Sequence, residues 1–315
     1  MLYLDYCREK GQYQTNKYGG NENLEAVEFI KHLNSVVKKS VKGIMMIAEE
    51  STSWDGVTKE VKEGGLGFDY KWNMGWMNDN LSYLKRKIIH RKYHHEDITF
   101  SMMYAFSEKY ILPLSHDEVV HMKGSITNKP EGDLWQKLAN VRTMYGFMYL
   151  HLGKKLMFMG NEIGQFSEWN EEHSLDWYLL DNSMHKKFQY YVKELNHLYL
   201  RERALWEKDF SNDGFTWIDC DDVERSTISY MRHYEREDLI IVCNFTETFY
   251  EEFFVGVQKK GIYKEIFNSD KKEFGGSGKT NDEKVKSINI PHGRCNDSIK
   301  IKLPSLGFVV FKATK

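Results

Sequence analysis

Hydrophobic and polar residues along the first two thirds of the chain follow the patterns of helices and buried strands. Between Asn23 and Lys39, hydrophobic residues recur every three or four positions, which predicts an amphipathic helix with Asn23 as its N-cap. Further helices are predicted at 133–152 and 184–203. Short apolar runs that stop abruptly in polar residues, the form of buried parallel strands, occur at 43–48, 110–115 and 155–159. Together they predict a parallel α/β sheet, open or closed into a barrel.

After about residue 203 the pattern changes to short β-rich runs separated by turn residues. The candidate strands are 214–218, 226–231, 239–245, 251–257, 262–267 and 298–311. They predict an antiparallel β-sandwich domain over 204–315, after an α/β part over 1–203. Residues 55–80 and 270–286 lack these patterns and are expected to be surface loops, the first on the face that carries catalytic loops.

Two of the predicted strands end beside acidic side chains. Glu49 follows the first run directly, and Asp117 follows the second, next to His116. A carboxylate at the end of a buried strand is desolvated unless it is paired, and desolvation favours the protonated form that a general acid needs. Acid-assisted glycosyl transfer requires two carboxyl groups, one to protonate the leaving oxygen and one to hold negative charge near the oxocarbenium ion. Ordinary structural ion pairs explain the same positions equally well, so the pattern leaves both interpretations open.

Charge and cysteine usage exclude several classes of protein. The chain has 44 Lys and Arg against 46 Asp and Glu, a formal net charge of −2, so it lacks the positive field that nucleic-acid and membrane-surface binding need. No apolar run approaches the roughly 18 residues of a membrane-spanning helix. Residues Met1 to Cys7 include Asp5 and do not have the form of a secretory signal. The four cysteines form no CxxC pair, which favours a reducing, cytoplasmic setting.

Aromatic residues make up 14% of the chain, a mild indication of a carbohydrate ligand because planar rings stack on sugar faces. Tyr70, Trp72 and Trp76 are candidates for such a platform, and a well-packed loop is the alternative. The clusters 94–97 and 116–118 mix imidazole and carboxylate groups. Because neighbouring residues of a strand point to opposite faces, neither cluster is expected to bind a metal ion.

Several motifs, taken in order, resemble one enzyme family over essentially the whole chain. They are IAEEST (47–52), GGLGFDYKWNMGWM (64–77), LPLSHDEVV (112–120), GKKLMFMGNEIGQ (153–165), EWN (168–170), SLDW (174–177) and NFT (244–246). This set is similar to that of the 1,4-alpha-glucan (glycogen) branching enzymes of the alpha-amylase superfamily. The resemblance implies a (β/α)8 TIM barrel followed by a β-sandwich. It also implies a retaining double displacement that cuts an α-1,4-glucan chain and rejoins it through an α-1,6 bond.

The same resemblance implies roles for individual residues. Glu49 matches the general acid/base, Asp117 the transition-state stabilising carboxylate, and His116 the histidine that hydrogen-bonds the donor sugar. Tyr70, Trp72 and Trp76 become candidates for the acceptor platform. No cofactor is expected, because acid, nucleophile and stabiliser are all carboxylates.

One element of the family pattern has no match. The nucleophilic aspartate, which lies in an RVD-like motif on barrel strand four, would precede Met1, so 1–203 is expected to be the C-terminal half of the barrel. A chain without the nucleophile is expected to be inactive alone and to need the missing N-terminal half as a partner. An amylase-type hydrolase and a non-catalytic glucan-binding fragment remain the alternatives.

Overall fold

The computed structural model describes residues 2–6, 8–9 and 11–314, so Met1 and Cys7 lie outside the described residues. The first sheet contains four parallel strands in the order β1-β2-β3-β4. These are β1 (Ile47–Ala48), β2 (Tyr70–Trp72), β3 (Tyr110–Leu114) and β4 (Lys154–Met157). Because all four run in the same direction, their carboxyl ends lie at one edge of the sheet.

Within the part of the chain that the structure describes, five α-helices accompany this sheet and the connection that follows it. They are α1 (Leu24–Ser40), α2 (Met74–Lys85), α3 (Glu96–Thr99), α4 (Leu134–Leu150) and α5 (Ser183–Arg201). The three helices predicted from periodicity are α1, α4 and α5. As predicted, Asn23 caps α1 by accepting the Ala26 N–H at 3.1 Å. None of the described helices is long and apolar enough to cross a membrane.

The prediction that residues 55–80 form a loop is wrong, because this stretch contains β2 and the start of α2. The middle residue of the three-residue strand β2 is the buried Lys71, so the strand lacks the apolar run that reveals a buried strand in a sequence. Of the first predicted strand, 43–48, only the two residues of β1 form a strand in the structure. Within the described residues β1 pairs only with β2, so it is an edge strand of this sheet.

Eight strands form the all-β part: β5 (Phe215–Asp219), β6 (Thr227–Tyr234), β7 (Glu237–Asn244), β8 (Tyr250–Val257), β9 (Ile262–Asn268), β10 (Val285–Lys286), β11 (Asp297–Leu303) and β12 (Gly307–Ala313). Six of them make one sheet in the order β10-β9-β12-β7-β6-β5, and β11 pairs with β8 in a second sheet. The predicted strand 298–311 is two strands joined by a turn. These antiparallel sheets after a partial barrel confirm the predicted fold class.

The expectation of a surface loop over 270–286 is only partly correct. Asp270 and Phe274 are both 2% exposed. The Asp270 carboxylate accepts hydrogen bonds from the Ser277 N–H at 2.7 Å and the Lys279 N–H at 2.8 Å. These bonds fold the loop back on itself and bury Phe274 against Tyr191 of α5.

The six-stranded sheet is buried on both faces, as neighbouring residues of β12 show. Phe308 points into a core shared with α4 and α5, where it contacts Tyr191. Val309 points to the other face, into a second core that it forms with Val255 of β8 and Ile299 of β11. The main core therefore crosses the proposed domain boundary near residue 203, and that boundary stays a prediction.

A buried ion pair after residue 203 also contacts the α/β part. The Arg232 guanidinium of β6 donates to the Asp209 carboxylate at 2.7 Å, and both side chains are 0% exposed. The guanidinium also donates to the carbonyl oxygens of Leu150 at 3.0 Å and His151 at 2.8 Å, where α4 ends. Lys154 of β4 lies 3.0 Å from the other Asp209 oxygen. Arg232 thus connects β6 to the end of α4 by hydrogen bonds, and to β4 through the Asp209–Lys154 ion pair.

Candidate active site

The two candidate carboxylates lie at the carboxyl edge of the parallel sheet. Glu49 follows β1 directly, and Asp117 follows β3 after Ser115 and His116. Neighbouring strands are about 4.8 Å apart, and β2 lies between, so β1 and β3 are separated by about 10 Å. The two residues therefore lie at the same edge of the sheet, on strands that are not direct neighbours.

A 3-10 turn over His116–Val119 sets the position of Asp117. The hydroxyl of Ser115 accepts the Asp117 N–H at 3.4 Å. The Glu118 carboxylate in turn accepts the N–H of Ser115 at 2.6 Å and its hydroxyl at 2.7 Å. Glu118 is therefore a buried capping group, whereas the Asp117 side chain is 44% exposed, with an oxygen 3.4 Å from His116 Nε2.

An open cleft extends from this turn. The ring of His116 lies 5.9 Å from that of Phe158 and 6.3 Å from that of Trp169, measured between centroids. Trp169, Asp117 and Glu168 line this cleft together with His116. Aromatic faces beside exposed polar groups suit a ligand that has both apolar and hydrogen-bonding sides, as a sugar ring has.

Glu49 lies in a separate pocket, with Tyr3, Tyr6 and Met74 among its lining residues. Its side chain is exposed, so the burial expected for a carboxylate at the end of a buried strand is not observed. The reason is the position of β1 at the edge of the described sheet. Nearby, the buried Lys71 donates to the Thr52 carbonyl at 3.0 Å. Burial lowers the pKa of Lys71, and the carboxylates of Glu108 and Glu50 oppose that effect.

The three candidate platform aromatics do not lie together on a surface. Trp76 is 0% exposed and belongs to the main core, so the prediction that it stacks on a sugar is wrong. Tyr70 is half-buried, with its ring centroid 5.9 Å from that of Phe210, and Trp72 is half-buried as well. Since Tyr70 and Trp72 alternate with Lys71 on β2, they lie on the strand face opposite to it. A role for these two in glucan binding stays a prediction.

The sequence reasoning missed polar side chains that hold the loops of the site. Glu108 is buried and accepts the N–H groups of Val57 and Thr58, each at 2.7 Å, which anchors the loop that follows Glu49. Glu168 accepts two further N–H groups in the loop that follows Asp117. These contacts join residues more than 40 positions apart, so no local sequence pattern predicts them. Among the described residues, no group of three His, Cys, Asp or Glu side chains is placed to hold a metal ion.

Comparison with known proteins relates the chain to one family. Residues 217–314 match the profile of the alpha amylase C-terminal all-beta domain. The chain is 53% identical over 316 residues to the 1,4-alpha-glucan branching enzyme GlgB of Clostridium perfringens, covering 99% of this chain and 48% of that protein. It is 52% identical to the GlgB of Halothermothrix orenii, covering 99% and 50%. The GlgB of Aquifex aeolicus is 51% identical, covering 99% of this chain and 50% of that protein. The chain thus spans about half the length of the curated relatives it matches.

Solved structures agree on the fold at much lower identity. An alpha-amylase from H. orenii superimposes with a TM-score of 0.58 at 12% identity, covering 92% of this chain and 57% of that one. A cyclomaltodextrinase gives a TM-score of 0.60 at 13% identity, covering 90% and 43%. The resemblance that the sequence motifs indicated is therefore confirmed: the chain is a relative of the 1,4-alpha-glucan branching enzymes within the alpha-amylase superfamily, and it corresponds to about half of their length.

Proposed function

We propose that this chain is the part of a glycogen branching enzyme that supplies the acid/base Glu49, the stabilising carboxylate Asp117 and the substrate-binding His116. One observation carries the proposal. Glu49 and Asp117 stand at the carboxyl edge of one parallel sheet. Relatives at about 50% identity over nearly the whole chain are named 1,4-alpha-glucan branching enzymes. The substrate would be an α-1,4-glucan.

In this proposal Glu49 protonates the glycosidic oxygen as the α-1,4 bond breaks, and later takes the proton of the attacking 6-hydroxyl. Asp117 stabilises the positive charge of the oxocarbenium-like transition state. His116 is exposed beside Asp117 and donates a hydrogen bond to the donor sugar. The nucleophile that holds the cleaved chain comes from a complementary segment.

The exposed apolar surface beside β1 supports such a partner. Three large hydrophobic side chains of α1 are exposed, namely Phe29, Leu33 and Val36, as are Ile44, Met45 and Ile47 around the edge strand. An open strand edge beside apolar side chains is a surface that further β/α units can cover. We propose that the occupant is the other half of the barrel. The three cysteines that the structure describes are free, which fits the proposed cytoplasmic location.

The test compares the chain alone with a fusion to the remaining half of the C. perfringens relative. Transfer is measured as new α-1,6 linkages, counted by the chains that a debranching enzyme releases. Hydrolysis is measured as an increase in reducing sugar. We expect branching from the fusion and none from the chain alone. Glu49→Gln and Asp117→Asn should each lower branching by about 10²-fold or more, because each removes a charge or proton that acts in the transition state.

The matched control is Glu252→Gln, an exposed carboxylate on β8 that should leave branching unchanged. Branching that survives in Glu49→Gln would disprove the assigned role. Reducing sugar without α-1,6 bonds would indicate an amylase-type hydrolase. Binding to glycogen without turnover, by both the chain and the fusion, would indicate a glucan-binding protein.

A further inference from the structure

The segment that follows Asp117 has an unusual backbone. After the turn that ends at Val119, His121 has a φ of 56° and Met122 a φ of 65°, both in the left-handed region. Residues other than glycine adopt this region rarely, and two in succession persist only where the surroundings hold them. The contacts made by 118–124 therefore decide where this segment lies.

Lys129 makes three of these contacts. Its side chain is buried, with 8% of the residue exposed. The ammonium group donates to the carbonyl oxygens of Glu118 at 2.7 Å, Lys123 at 2.9 Å and Gly124 at 3.1 Å. An ammonium group has three N–H donors, so each donor has one backbone acceptor, and both ends of the segment are held by one side chain.

Glu168 holds the same segment from the loop that follows β4. One carboxylate oxygen accepts the Met122 N–H at 3.1 Å and the other accepts the Gly124 N–H at 2.6 Å. These two bonds lower the pKa of Glu168. The next residue, Trp169, donates its N–H to the Val119 carbonyl at 3.0 Å. Lys129 thus binds the carbonyl groups of the segment, and Glu168 binds its N–H groups.

We infer that Lys129 and Glu168 are positioning residues that clamp segment 118–124 and so fix the Asp117 carboxylate for the transition state. The inference rests on the proposed function. The Asp117 side chain is 44% exposed and faces an exposed His116, so neighbouring side chains restrain it little. Its place is set by its backbone, and the carbonyl of the next residue, Glu118, accepts the shortest Lys129 bond.

The clamp also predicts a pH dependence. Burial lowers the pKa of Lys129 to about 8; Lys85 of α2 and Lys123 add to this effect, while Glu118 and Glu168 oppose it. Above that pH the amine has two N–H donors for three carbonyl groups. We expect the transfer rate to fall as pH rises through about 8. Lys129→Arg keeps its charge and should move this decline to higher pH.

The first experiment measures amide hydrogen exchange in the chain as it is. Lys129→Met removes all three donors, and Glu168→Gln places an amide donor against one of the two N–H groups. Both variants should exchange at least about tenfold faster in peptides that cover 118–124, because the segment opens more often. Lys129→Arg should restore part of the protection. Glu131→Gln, an exposed side chain two residues after Lys129 that takes no part in the clamp, is the control and should leave exchange in 118–124 unchanged.

The second experiment uses the fusion with the relative's remaining half. Lys129→Met should lower kcat by about tenfold and leave KM unchanged, because Asp117 acts in the transition state. Glu168→Gln should lower kcat by a similar factor; because Glu168 also lines the cleft, the KM comparison is made with Lys129→Met. Unchanged exchange in both variants would overturn the clamp. Faster exchange with unchanged kcat would overturn the positioning role. If the unsubstituted fusion makes no α-1,6 bonds, the proposed function has failed, and the exchange data still decide whether the clamp exists. If Lys129→Met does not fold, Glu168→Gln and Lys129→Arg give the same decision.

Discussion

Replacing Arg232 by Met should cost the protein much of its stability, because the guanidinium makes several buried contacts at once. The substitution leaves the Asp209 carboxylate with Lys154 as its cationic neighbour, 3.0 Å away. Removing one partner of a buried ion pair costs about 3–5 kcal/mol, and the remaining lysine favours the lower value. The carbonyl groups of Leu150 and His151 also lose short hydrogen bonds, at about 1 kcal/mol each. We expect a total loss of about 5 kcal/mol.

The assay is equilibrium unfolding in urea, followed by tryptophan fluorescence and by circular dichroism. The double variant Arg232→Met, Asp209→Leu removes the unpaired charge and should recover about 3 kcal/mol, leaving the cost of the two carbonyl groups. Arg201→Met is the control: this arginine is 56% exposed in its pair with Glu202, and its loss should cost at most about 1 kcal/mol. A loss below about 1 kcal/mol for Arg232→Met, or no recovery in the double variant, would refute the reasoning.

Two further predictions concern α4 and the residue that follows it. A Cβ added at Gly146 would clash with the Phe308 ring, so Gly146→Ala should destabilise the protein by about 1–3 kcal/mol, seen as a lower melting temperature. Gly261→Ala, with open space around the added Cβ, is the control and should leave the melting temperature unchanged. Burial lowers the pKa of His151 to about 3, so between about pH 6.5 and 3 the unfolded chain binds a proton that the folded chain does not. Stability should therefore fall as pH drops below 6.5. His151→Gln should reduce the slope of the unfolding free energy against pH by up to about 1.4 kcal/mol per pH unit. The control is His90→Gln, which replaces an exposed histidine and should leave that slope unchanged. An unchanged slope in His151→Gln would contradict the assignment.

The sequence predicts those elements whose signals are local. The helix α1 has a regular stripe and a capping asparagine, and strand β3 has a continuous apolar run that ends in polar residues. Both signals come from residues within one turn or one strand of each other. Strand β2 was missed because it is three residues long and is centred on a buried lysine. No hydrophobic pattern marks such a strand; the parallel pairing with its neighbours is a tertiary effect.

In the candidate site, too, local sequence signals predict some features, and others depend on long-range contacts. The positions of Glu49 and Asp117 at strand ends follow from the order of residues along the chain. The burial of Trp76 does not, because an aromatic side chain at the start of a helix fits a surface platform and a core equally well until the neighbouring helices are placed. The bond between Glu168 and the Gly124 N–H joins residues 44 positions apart. Motifs thus predict which groups carry the chemistry, and long-range contacts decide how firmly those groups are held.

The central place of β12 in its sheet has a consequence for biosynthesis. This strand pairs with β7 on one side and β9 on the other, although it is the last strand of the described chain. During translation β7 and β9 emerge from the ribosome first, and the edges that pair with β12 stay unpaired until residues 307–313 follow. The core shared with α4 and α5 also lacks Phe308 until then. Ribosomal stalling before residue 307 should therefore leave a nascent chain that binds chaperones, even though every residue of the candidate active site has already been made.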